Sequence, residues 1–336
     1  MSLLQTSTLL LTALLGALSL LACGDHDAPV TTATPLPAEV TITQAALYPE
    51  GIDYDVERAR FVIGSFRRGE VGTVDPTTGI YTVLVEDDRL FSATGVYVDA
   101  SRNRLIVAGA DAGLSDRSAA DGSTAGTIAY LGIYDLASGE RIAGVDLKPL
   151  TPNGGAFPND IALGPDGTIY VTDSFSPVIY AVDPDDFGAS VFLDGGSRLA
   201  PSPGAFGLNG LVATGGALVT VKTDDGTLWR VPLDEPNAFA QIITDTLAGG
   251  DGLELDTDGN LVVVQNGLTP NAGVTVLASQ DGFRSVTVAS RASSTAEAFP
   301  TTAVATPDSN VYVLESQLGR TLAGDFTAGT FTIRRL

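Results

Sequence analysis

One cysteine, one histidine, one tryptophan and one methionine are spread over 336 residues, and 18 lysines and arginines face 40 acidic residues. Each shortage excludes a class of chemistry. A lone Cys23 permits neither an internal disulfide nor a redox pair. The only histidine, His26, lies in a stretch rich in Thr, Pro and Ala near the N-terminus. The body of the chain therefore has no serine–histidine triad, no imidazole base and no histidine cage for zinc. A net charge of -22 repels phosphate backbones, which argues against nucleic acid as a partner. The same acidity draws divalent cations weakly everywhere, so by itself it locates no metal site. Gly154-Gly155 and Gly215-Gly216 lack the lysine and the helix that a phosphate-cradling loop needs.

The N-terminus reads as a targeting segment. Residues 1–22 carry no charged side chain, and the apolar run Leu9–Ala22 is short for a membrane span. It ends in Leu20-Leu21-Ala22-Cys23, followed by polar Gly24-Asp25-His26-Asp27, which resembles the lipobox of bacterial lipoproteins. The resemblance implies a signal peptide over 1–22, lipidation of Cys23 and a flexible tether over 23–39. It also implies an exported protein held to a bacterial membrane by its lipid anchor alone, facing the periplasm or the cell exterior. Gly24 beside the cysteine resembles outer-membrane sorting. Met1–Thr8 has no Lys or Arg, a departure that leaves open an ordinary signal peptide cut nearby or an uncleaved anchor.

The remaining residues, 40–336, hold most of the chain's 38 glycines and a short motif that returns six times. A strand opens on a polar residue, runs to an Asp- or Gly-rich turn and continues as a β-branched strand. The openers fall near Glu50, Thr94, Asn159, Asn209, Asp251 and Thr301. All-strand repeats of roughly 40 to 50 residues predict an all-β, six-bladed β-propeller. Val40–Thr43 is expected to pair with the last blade and close the ring, because closure removes exposed edges. Residues 112–127, rich in Gly, Ser, Ala and Asp, lengthen the second blade as a long loop.

Asn-Gly and Asp-Gly are common hairpin dipeptides chosen for positive φ. Blades three and five, however, keep separate turns at Asp166-Gly167 and Asp258-Gly259, so Asn159 and Asp251 are not needed for turning. Glu50-Gly51, Asn159-Asp160-Ile161, Asn209-Gly210-Leu211 and Asp251-Gly252-Leu253, in this order, resemble the senescence marker protein, gluconolactonase and luciferin-regenerating enzyme family. The resemblance implies a six-bladed propeller, related in layout to paraoxonase, with a divalent metal, usually Ca2+, at the mouth of its channel. Carried over position by position, Glu50, Asn159, Asn209 and Asp251 are the implied metal ligands, and Asp251 the implied catalytic residue that activates water. Asp160 and Asp173 are candidates for orienting those ligands. The function implied is metal-dependent hydrolysis of a small-molecule lactone or ester. A non-catalytic propeller that binds a ligand or a protein is the alternative. Arg67 and Arg68 read either as contacts for an anionic substrate or as a solvated pair, and Trp229 as packing between blades.

Overall fold

The computed structural model describes residues 35–152 and 154–336. The expected signal peptide and Cys23 lie outside the described residues. Six four-stranded antiparallel sheets form six blades. Their innermost strands are Pro49–Asp55, Ser92–Asp99, Pro158–Leu163, Leu208–Thr214, Gly250–Leu255 and Pro300–Ala305. Each packs beside the next, and the sixth returns to the first, so the blades close a ring around an axial channel. These strands carry the six openers read from the sequence.

Blade 6 is completed by the N-terminal strand Glu39–Thr43, which pairs with Thr330–Arg335 from Glu39↔Arg334 to Thr43↔Thr330. Just before it, Leu36 donates its N–H to Asp308 at 3.0 Å and accepts the Tyr312 hydroxyl at 3.1 Å. Closure therefore ties the two ends of the propeller together.

The second strand of each blade is an apolar run because a neighbouring blade covers each face. Phe61-Val62-Ile63, Leu105–Ala108 and Leu261–Val264 are all buried. The apolar side chains sort into six clusters. Each cluster fills a space between blades: Ile106, Leu131, Ile161 and Val171 join blades 2 and 3, while Phe61 and Tyr312 meet edge to face at 5.5 Å between blades 1 and 6. Burying a large apolar side chain contributes roughly 1.5–3 kcal/mol, so stability is spread around the ring. Trp229 packs in the cluster between blades 3 and 4, 5.7 Å from Phe239.

The innermost strands share an irregularity that decides where the openers point. Each ladder skips at one place: Pro49/Ile52, Ala93/Val96, Pro158/Ile161, Leu208/Leu211, Gly250/Leu253 and Pro300/Ala303. Every skip encloses the opener and the residue after it. A bulge releases a residue from the alternation of the pleat and re-aims its side chain. The residue after the opener is Gly51, Gly95, Gly210 or Gly252 in four blades, and none of these has positive φ. The turns proper use Gly167 and Gly259, at φ 88° and 79°. The four glycines serve close approach instead: a Cβ on Gly51, Gly95 or Gly210 would sit 2.2–2.3 Å from the carbonyl oxygen of Thr94, Asn159 or Asp251 on the next blade.

Gly210→Ala should accordingly destabilise the protein by about 3 kcal/mol, because backbone rather than a flexible side chain must yield. Gly215→Ala, where a Cβ meets nothing within 4 Å, is the control. Urea midpoints should fall sharply for the first substitution and hardly move for the second.

Candidate functional site

Four openers from four blades meet at one end of the channel. Glu50, Asn159, Asn209 and Asp251 line a single cavity of about 40 Å³, joined by Asn266 from the end of the second strand of blade 5. All five are buried. The other two openers do not line it. Thr94 donates its hydroxyl to Pro158 O at 2.8 Å, and Thr301 donates to Glu50 O at 2.9 Å. They tie adjacent blades together.

Hydroxyls also fix the amides. Asn159 Nδ2 donates to Ser174 Oγ at 2.9 Å, and Asn209 Nδ2 donates to Thr223 Oγ1 at 3.1 Å. Ser174 and Thr223 in turn donate to the backbone of the next blade, at Leu208 O and Gly250 O, each at 2.6 Å. With its nitrogen held from behind, each amide leaves the carbonyl arm for the cavity that it lines. Asn266 Nδ2 donates to Asp251 Oδ2 at 2.8 Å, and Asn209 adds a second side-chain hydrogen bond to the same carboxylate.

The electrostatics are those of crowded negative charge. Burial first, then the nearby charges of Asp251 and Asp160, holds Glu50 well above the usual carboxylate range. Burial raises Asp251 to about 7 against the pull of its two asparagine donors. No Lys, Arg or His lines the cavity among the described residues. Nor does any group of three or more His, Cys, Asp and Glu come together there as a metal site. The set is instead two carboxylates with amide oxygens. That donor chemistry fits a hard cation such as calcium, which takes six to eight oxygens, and the two carboxylates match its charge.

No family model matches the chain, and no curated protein matches it in sequence. Solved structures resemble it in fold. The major allergen Mala s 1 of Malassezia sympodialis is 15% identical with a TM-score of 0.72, over 90% of this chain and 96% of that one. A calcium-binding protein, regucalcin, from Agrobacterium tumefaciens is 18% identical with a TM-score of 0.60, over 89% and 94%. A luciferin-regenerating enzyme is 13% identical with a TM-score of 0.58, over 88% and 94%. At these identities the likeness is one of fold.

No side-chain hydrogen bond joins Asp160 or Asp173 to the four openers among the described residues. Asp160 turns along the channel, where its carboxylate accepts Ile161 N–H at 2.8 Å and, across the blade boundary, Leu211 N–H at 2.7 Å. It acts on Glu50 and Asp251 through charge alone. Asp173 accepts the N–H groups of Phe157, Phe175 and Ser176 and the Tyr180 hydroxyl, so it shapes the loop that carries Phe157. Arg67 stacks on Phe326 at 3.9 Å and bonds Leu114 O and Asp116, pinning the long loop of blade 2 rather than facing the cavity. Arg68 pairs with Glu70 at 3.3 Å.

Two features of the site were not anticipated from sequence. Above the polar floor the cavity wall is apolar, built from Phe66, Phe157, Phe206, Phe299 and leucines. Three of these aromatics stand two or three residues before an opener, as Phe157-Pro158-Asn159, Phe206-Gly207-Leu208-Asn209 and Phe299-Pro300-Thr301. That spacing was the available sign. Deeper along the channel a second chamber of about 290 Å³ is lined by Asp53, Asp160 and Glu254. Burial raises Asp53 and Asp160 to about 7, and burial with the neighbouring charge of Asp53 raises Glu254 to about 8.

Proposed function

We propose that this propeller is a hydrolase of lactones or related esters that works with a calcium-type cation held by Glu50, Asn159, Asn209 and Asp251. The observation that carries the reading is the convergence of two buried carboxylates and two amides, one per blade, on a cavity whose wall contains no basic side chain. The fold-level likeness to a calcium-binding regucalcin and a luciferin-regenerating enzyme is in keeping with it.

When bound, the cation would polarise the substrate carbonyl and offset the charge that develops on its oxygen. The protein's own part is positioning and proton transfer. Asn266 and Asn209 fix the Asp251 carboxylate, which burial raises to about 7 in the metal-free protein, and so hold a carboxylate base in place for water's proton. In the reaction Asp251 would take a proton from water as the water oxygen bonds the acyl carbon, the acyl C–O bond to the leaving group would break, and the proton would pass to the leaving alkoxide. Glu50 remains as the second negative charge that the cation balances, and the apolar wall keeps bulk water from the reacting centre.

A lactone panel assayed with calcium and with chelator tests the reading. Hydrolysis should vanish on chelation and return with added calcium. Hydrolysis indifferent to chelation would remove the metal from the mechanism. No hydrolysis of any lactone, together with a calcium-dependent rise in melting temperature, would favour a propeller that binds a ligand or a protein partner.

A further inference from the structure

The contrast between floor and wall of this one cavity carries an inference about its substrate, which rests on the hydrolase reading above. We infer that the site takes uncharged lactones or esters bearing an apolar tail, alkyl or aryl, beside the reacting carbonyl, and discriminates against polyhydroxylated and anionic ones.

The wall offers no free hydrogen-bond partner to a sugar's hydroxyls. Phe66, Phe157, Phe206 and Phe299 supply rings, and Leu268, Leu318 and Leu322 complete the enclosure. The only hydroxyl on the lining, Thr223, is already committed, since it donates to Gly250 O and accepts from Asn209. The amide nitrogens of Asn159, Asn209 and Asn266 are tied to Ser174, Thr223 and Asp251, and the oxygens of Asn159 and Asn209 are the ones assigned above to the cation. A substrate hydroxyl pressed against this wall loses its water without gaining a partner, at a cost of roughly 1–3 kcal/mol each. A methylene in the same place gains about 0.8 kcal/mol. An anionic tail meets rings and leucines, with Glu50 and Asp251 beneath and no cationic side chain on the lining.

The rim shows how such a tail enters. Two leucines on the rim stay exposed, Leu268 at 50% and Leu322 at 44%. They come from different blades: Leu268 follows the second strand of blade 5, and Leu322 ends the short helix Leu318–Leu322 of blade 6. The enclosed volume of about 40 Å³ suffices for an ion or a water molecule but not for a lactone ring. A substrate larger than this volume extends to the rim, and the surface it meets there is leucine and phenylalanine.

The test compares γ-decalactone, γ-valerolactone and glucono-δ-lactone on the calcium-loaded protein, with calorimetric binding of the lactam analogues of the first two. Turnover efficiency should rise about threefold to fourfold per methylene from the short chain to the long, as apolar transfer requires. Glucono-δ-lactone should fall about 100-fold or more below γ-decalactone, the effect of several unpaired hydroxyls. Leu268→Asn and Leu322→Asn, at exposed positions that leave the core intact, should cut efficiency on γ-decalactone about tenfold and narrow its advantage over γ-valerolactone. Equal or better turnover of glucono-δ-lactone, or rim variants without effect on the long chain, would overturn this inference and leave the hydrolase standing. If no lactone is hydrolysed, the hydrolase reading fails and the lactams still decide the apolar preference: tighter binding of the long-chain lactam supports it, and equal or absent binding overturns it.

Discussion

Asp251→Asn should lower lactone turnover by about 100-fold or more, the usual scale for losing a positioned general base, while leaving the metal-free fold as stable as the parent or more so. The two halves of this expectation have one cause. Asp251 is a buried carboxylate whose charge bears on Glu50, and burial already pushes both toward their protonated forms. An amide of the same shape keeps an oxygen for Asn266 Nδ2, now 2.8 Å from the carboxylate, and removes one of two like charges from the cavity. It cannot accept water's proton, and as a neutral ligand it weakens the hold on a divalent cation. Melting temperature in chelator should therefore hold or rise, and the gain in melting temperature on adding calcium should shrink. Retained turnover would place the base elsewhere. A lower metal-free melting temperature would show that Asp251 is held by attraction rather than crowded by repulsion.

The ring was legible in the sequence because each blade repeats one pattern, and the six openers mark six innermost strands. Side-chain direction was not legible. Glu50 and Thr94 occupy equivalent bulges, yet Glu50 lines the cavity and Thr94 bonds the next blade. Only the skip in register, invisible in composition, sets the geometry that both share. The role of the glycine after the opener was not legible for the same reason: one chain shows that Gly210 follows Asn209, not that Asp251 O stands where a Cβ would go. Asn266 and the aromatic wall come from loops whose approach depends on closure of the ring. Asp53 and Glu254 line the channel because each stands three positions after an opener, Glu50 or Asp251, on a strand that follows the axis.

The carboxylates of the second chamber give the metal-free protein an inverted pH profile: it should be more stable near pH 5 than near pH 8. Asp53 is raised to about 7 and Glu254 to about 8, with burial the leading cause in both, and burial raises Asp173 to about 6. Ordinary values for these groups in an unfolded chain are near 4. A carboxyl whose folded pKa is raised binds its proton more tightly in the native state, so its stabilising contribution is complete below about pH 4 and lost as pH climbs through 6 to 8. A pKa difference of one is worth about 1.4 kcal/mol. Asp53 alone, moved from an ordinary carboxylate value to about 7, would contribute a few kcal/mol, and a domain of this size gives several degrees of melting temperature for that. Partial compensation holds Asp53 in place: its two oxygens accept Tyr54 N–H and Val98 N–H, each at 2.6 Å, the second across the boundary between blades 1 and 2. Asp53→Asn should flatten the pH slope without changing the response to calcium, because this residue does not line the cavity of the four openers. Calcium should act in the opposite sense, with its stabilisation growing as pH rises, since Glu50 and Asp251 must shed protons to bind it. Melting curves from pH 5 to 8, with calcium or chelator, separate the two effects. A metal-free melting temperature that rises steadily over this range would mean that the chamber carboxylates are charged in the folded protein, and a calcium effect independent of pH would mean that the cation binds elsewhere than at Glu50 and Asp251.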